Sequence, residues 1–85
     1  MEKSIYTREY NAVTELLRQF REDAEITQNE LADRLSQSQS FISKVERGER
    51  RLDIVQLRTI CEAVGTTLPL FVEALENRLS RRKRR

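Results

Sequence analysis

Histidine and tryptophan are absent from this 85-residue chain, which has one cysteine, one proline and two glycines. Each scarcity excludes something. A lone Cys61 can form no intramolecular disulfide, and without histidine nothing stands ready to activate its thiol as a nucleophile. The same shortage leaves no set of zinc ligands, so no metal or cofactor is expected. There is no glycine-rich phosphate loop and no pairing of nucleophile and base, so the chain is not read as an enzyme. No apolar run approaches the roughly 20 residues of a membrane span, and the N-terminus lacks a signal-peptide pattern. A cytoplasmic protein with no membrane partner is expected. Its length leaves no room for a separate ligand domain, so no small-molecule ligand is expected either.

What is present is charge and helical periodicity. Charged residues make up 35% of the chain, yet the formal net charge is only +2. Its distribution is uneven. Residues 1–33 carry a net −4, residues 34–51 a net +3, residues 52–77 a net −3, and the last eight residues +6. A localised basic segment of this kind is the footprint expected of a nucleic-acid-binding surface. Apolar residues recur at three- and four-residue steps from end to end, and no segment alternates with a period of two. The fold class is therefore all-α, in one small domain.

The first helix is expected from about Tyr6 or Thr7 to Glu25, with an apolar stripe of Tyr6, Tyr10, Val13, Leu17, Phe20 and Ala24. Residues 1–5 would be a loose arm ahead of a domain at 6–80, and 81–85 a basic tail. Thr27 and Glu30 form a capping box that opens a second helix at 28–35. Ser36 and Gln37 make a turn. Ser38 caps a third helix, 39–47, which Gly48 ends. Ile42 and Val45 face inward on it, and its other face is polar and basic. Asp53 with Gln56 opens a fourth helix that stops at Gly65. Thr67 caps a fifth, 68–80, carrying Leu68, Phe71, Val72, Leu75 and Leu79. Cys61 lies on the fourth helix's apolar face as a small core residue.

Two short helices joined by a tight turn, the second with a polar face, suit a helix placed in a DNA major groove. The run Thr27-Gln28…Glu30-Leu31-Ala32…Leu35…Ser38…Ile42-Ser43-Lys44-Val45-Glu46-Arg47-Gly48 carries a specific likeness. Over Leu17 to Leu75 the chain resembles the Cro-like, or xenobiotic-response-element (XRE), family of bacterial and phage helix-turn-helix repressors. The resemblance implies a five-helix domain that binds operator DNA as a symmetric dimer. It departs from the family at the turn. Ser36 stands where glycine is usual and must bear a left-handed or strained turn. Gln37 stands where an apolar plug is usual, and either points outward near the groove or marks a looser turn.

On this reading the base-reading candidates are Gln39 and Ser40 in the first turn of the third helix, with Ser43 and Lys44 one turn later and Gln37 beside them. Lys44 could reach guanine or a phosphate. Gln28 and Ser38 at helix starts, with Arg47, Arg50 and Arg51, are the phosphate candidates. Phe41 either packs against the first helix or touches a thymine methyl. The resemblance implies that Arg21 and Glu46 form an internal ion pair. It also suggests a dimer interface at Phe71, Val72, Leu75 and Leu79, which could alternatively close the core of a monomer.

The function expected is sequence-specific binding of double-stranded DNA by a homodimer on a palindromic operator, as a nucleoid-associated bacterial or phage repressor. Three alternatives stand beside it: an antitoxin that also masks a cognate toxin protein, a restriction-modification controller protein, and an interaction module that does not bind DNA.

Overall fold

A computed structural model describes residues 3–83, and side chains from Arg8 to Arg81. Five helices follow one another: α1 (Lys3–Asp23), α2 (Gln28–Leu35), α3 (Gln39–Glu46), α4 (Ile54–Ala63) and α5 (Leu68–Lys83). Four of them are opened by caps written in their own sequence. The capping box of α2 is complete: the Glu30 N–H donates to Thr27 Oγ1 at 3.0 Å and the Thr27 N–H to Glu30 Oε1 at 2.8 Å. Asp53 and Gln56 repeat the arrangement at α4. Ser38 Oγ accepts from the Phe41 N–H at the start of α3, and Thr67 Oγ1 accepts from the Leu70 N–H at the start of α5.

The C-terminal ends share a single device. At α1, α2, α3 and α4 a residue with positive φ lets two N–H groups turn back onto carbonyls of the last turn, the Schellman pattern. Gly48 and Gly65 take the left-handed position after α3 and α4, while Glu25 and Ser36 take it after α1 and α2, with φ of 60° and 56°. A side chain in that region is strained, so Ser36→Gly is expected to raise stability by about 0.5–1 kcal/mol. An unchanged thermal midpoint would mean that the serine turn is relaxed.

The core gathers Leu16, Leu17, Ile26, Leu31, Ala32, Ile42, Val45, Ile60, Cys61, Val64 and Phe71. Here α2 packs on α3, α1 lies between α3 and α5, and α4 joins α2 to α5. Cys61 is fully buried, and burial pushes its thiol up to about 11, so it stays protonated near neutral pH. No helix among the described residues is long and apolar enough to cross a membrane.

Several expectations are corrected. The first helix starts at Lys3, so residues 3–5 are helical and not a loose arm, while Met1 and Glu2 lie outside the described residues. It stops at Asp23, leaving Ala24 exposed. The deepest positions on α1 are Ala12, Leu17, Thr14 and Leu16, with Tyr10, Val13 and Phe20 only half-buried. The reason is that α1 is covered from two sides, by α3 and by α5, which rotates and widens its buried face. The fifth helix runs on to Lys83, taking in the start of the basic tail. Phe71 is fully buried, its ring 5.8 Å from that of Phe20. It is a core residue with no surface left for a second copy. Leu75 packs on the core, Leu79 is half-buried, and Val72 and Leu70 remain 39% and 55% exposed.

Candidate nucleic-acid interface

Four side chains run in one hydrogen-bonded line from the core to the first residue of α3. Arg21 Nε donates to Glu46 Oε2 at 2.6 Å and Nη2 to Glu46 Oε1 at 3.0 Å. Its Nη1 donates to the Ile26 carbonyl at 2.8 Å, anchoring the ion pair to the turn after α1. The two side chains are only 10% and 6% exposed. Gln28 Nε2 then donates to Glu46 Oε1 at 2.9 Å, and Gln39 Nε2 donates to Gln28 Oε1 at 2.6 Å.

The chemistry dictates the direction of this line. An ionised carboxylate can only accept, so the Gln28 amide must turn its nitrogen to Glu46 and its oxygen to Gln39. Gln39 must then answer with an N–H. That leaves Gln39, on the exposed first turn of α3, with one N–H and its carbonyl oxygen free toward solvent. Gln28 keeps one N–H. The sequence places Gln28 among the phosphate candidates, but most of its amide is used to orient Gln39.

The other candidates fall into three places. Gln37, Ser38, Ser40, Phe41, Lys44 and Arg50 line an open depression of about 390 Å³. Gln37 is exposed at its rim. On its far side Gln37 and Phe41 also border a smaller apolar cleft between α2, α3 and α4, with Leu35, Val55 and Ile60. Phe41 packs against the core and separates the two.

Arg47 and Ser43 sit together, apart from the depression. Arg47 Nη1 donates to Ser43 Oγ, and its Nε and Nη2 donate to Glu49 at 3.1 and 3.2 Å. Hydrogen bonding and the charge of Arg47, then Lys44, hold the Glu49 carboxyl below its ordinary value. A carboxylate therefore occupies the fork that a phosphate would use.

Arg51 takes a third place, over the ring of Tyr10 on α1, while Arg50 lies over Phe41. Reading the sequence missed Glu49 and both aromatic platforms. No spacing rule connects Tyr10 with Arg51, because only the packing of α1 against the loop after α3 brings them together.

A family model described as a helix-turn-helix domain matches residues 12–74. Among solved structures, an XRE-family like protein from Pseudomonas syringae is 43% identical, covering 88% of this chain and 92% of that one, with a TM-score of 0.82. This chain belongs to the XRE family of helix-turn-helix proteins. The clp gene regulator ClgR from Corynebacterium glutamicum is also similar, at 26% identity and a TM-score of 0.77, covering 87% of this chain and 79% of its own. So is the restriction-modification controller protein C.Esp1396I, solved as a tetramer in complex with its natural 35-base-pair operator: 26% identity, TM-score 0.75, coverage 81% and 91%. No curated protein matches the chain.

Proposed function

We propose that this XRE-family chain binds double-stranded DNA sequence-specifically through α3, as a homodimer on a palindromic operator, and represses transcription from it without catalysing a reaction. The observation that carries this reading is the line Arg21–Glu46–Gln28–Gln39. It spends an internal ion pair on orienting one exposed glutamine at the tip of a helix. The free N–H and carbonyl of Gln39 match the N7 acceptor and N6 donor of adenine in a major groove. Ser40 and Lys44 read beside it, Gln37 flanks them, and Arg50 and Arg51 take phosphates. Ser43 and Arg47 join once Arg47 exchanges Glu49 for a phosphate. The exposed Val72 on α5, with Leu75 and Leu79, is the surface assigned to the second copy.

Selection of bound duplexes from a random pool tests this. The expected result is a palindrome whose half-site centres lie about one DNA turn, roughly 34 Å, apart. Absence of any duplex binding at low salt would sink the reading, and binding without sequence preference would reduce it to a general coat.

A second reading has one observation in its favour, the likeness to C.Esp1396I. The chain would then control a restriction-modification operon through the same surface. A methylase gene beside its own would support that reading.

A further inference from the structure

Arg50 and Arg51 are held differently from the other arginines around them. Arg18, Arg21, Arg47 and Arg78 each donate to a carboxylate, Arg58 pairs with Glu62 at 3.2 Å, and Arg34 donates to the Ala63 carbonyl at 2.7 Å. Arg50 and Arg51 have no such oxygen partner among the described residues. What each has is an aromatic ring against its face. The Arg50 Cζ lies 5.1 Å from the centroid of Phe41, and the Arg51 Cζ 4.3 Å from the centroid of Tyr10.

The difference matters chemically. A carboxylate binds a guanidinium along its N–H edge, the same edge that a phosphate needs. A ring binds it by the face, through the ring quadrupole, and leaves the in-plane donors free. It also restricts a long side chain that would otherwise lose rotamer freedom on binding. The two platforms come from different helices, Phe41 from α3 and Tyr10 from α1. Two arginines adjacent in sequence are thereby held against different helices, with Arg50 lining the depression that holds Gln37, Ser40 and Lys44. The Tyr10 hydroxyl is buried and finds no hydrogen-bond partner among the described residues, so the ring alone, not the hydroxyl, does the holding.

We propose that Phe41 and Tyr10 are positioning residues for DNA binding: each stacks on one guanidinium, Arg50 or Arg51, and presents its free N–H edge to a backbone phosphate. This rests on the DNA-binding reading above, and it adds a role that acts through the arginines and not by touching bases.

The test uses the full chain, a 30-base-pair duplex of mixed sequence and a series of salt concentrations. Arg50→Ala should weaken binding of all sequences alike and reduce the slope of log affinity against log salt by about one. Phe41→Leu, which keeps an apolar side chain, should weaken binding about two- to fivefold. It should weaken it no further when Arg50 is already alanine, and Phe41→Tyr should restore wild-type affinity. Tyr10→Leu should pair in the same way with Arg51→Ala, and Tyr10→Phe should bind as wild type. In the free protein, NMR should show ring-current shifts of the Arg50 and Arg51 side-chain protons that disappear in the leucine variants. Equal losses from Phe41→Leu in the presence and absence of Arg50, or no loss at all, would overturn the proposal while leaving DNA binding intact. A wild-type chain that binds no duplex would remove the DNA reading and this role together, whatever the ring-current shifts.

Discussion

Glu46→Ala is expected to cost about 3–5 kcal/mol of folding stability, the largest effect of any single substitution argued for this chain. Glu46 accepts from three donors on two residues, and its side chain is almost entirely out of water. Removing it leaves the Arg21 guanidinium buried, hydrogen-bonded only to the Ile26 carbonyl and with the half-exposed Glu22 carboxylate 3.9 Å away. A domain of this length has a stability of roughly 4–13 kcal/mol in total, so the loss removes a large share of it. Arg21→Lys should also be costly, since an ammonium cannot fork onto both carboxylate oxygens and the turn carbonyl. The exposed pair Arg18–Glu22, 63% and 49% accessible, is the control: Arg18→Ala should leave stability essentially unchanged. Urea denaturation with an unchanged m-value decides between them. A Glu46→Ala loss below 1 kcal/mol would mean that the pair behaves as a surface contact. Replacing Arg21 and Glu46 together by apolar residues of similar size should recover much of the loss, because the expense lies in the orphaned charge.

Gln39→Ala is expected to erase discrimination at one base pair of each half-site, worth about 1–3 kcal/mol there, while leaving affinity for non-specific duplex nearly unchanged. The free N–H and carbonyl of Gln39 have a defined direction only because Gln28 holds the other N–H. Gln28→Ala should therefore blunt the same base preference without a contact to that base, by releasing Gln39 to other rotamers. Titration of the selected operator and its single-base-pair variants checks both. Equal weakening on every sequence by Gln39→Ala would assign that residue to phosphate gripping and overturn the division between reading and gripping side chains. Glu46→Ala should reach the same base pair indirectly, so binding must be compared at a temperature where each variant is folded.

Much of this surface is legible in the sequence because its signals are local. Thr27 with Glu30 and Asp53 with Gln56 are pairs three residues apart, and a capping box needs nothing beyond that spacing. Gly48 and Gly65 end α3 and α4 for a reason contained in the residue itself. The third helix can be placed from Ser38, the inward pair Ile42 and Val45, and the polar residues between them. At Ser36 the family likeness, with glycine usual there, implies a left-handed or strained turn, and the residue is left-handed.

Other features depend on what lies across the fold. Glu25 has no local mark of a left-handed residue, since its φ is imposed by Arg21 and Ile26 closing the end of α1. The buried face of α1 is wider than its apolar stripe because two helices cover it. Phe71 reads equally well as interface or core until Phe20 is found against it. Arg47, Arg50 and Arg51 look alike as three arginines within five positions. Yet Glu49 ties up the first by its edge, while Phe41 and Tyr10 hold the other two by their faces.

By itself, then, the sequence determined the helices, their caps, the helix-turn-helix and the residues that line its outer face. Caps, turns and periodicity act over three to seven residues, and their energies are present in the local chain. Tertiary structure alone decided which of those residues are oriented and by what. The line from Arg21 to Gln39 and the two arginine platforms join groups 9 to 41 positions apart. Their strength comes from desolvation and from fixed geometry, and both exist only after α1, α2 and α3 have packed.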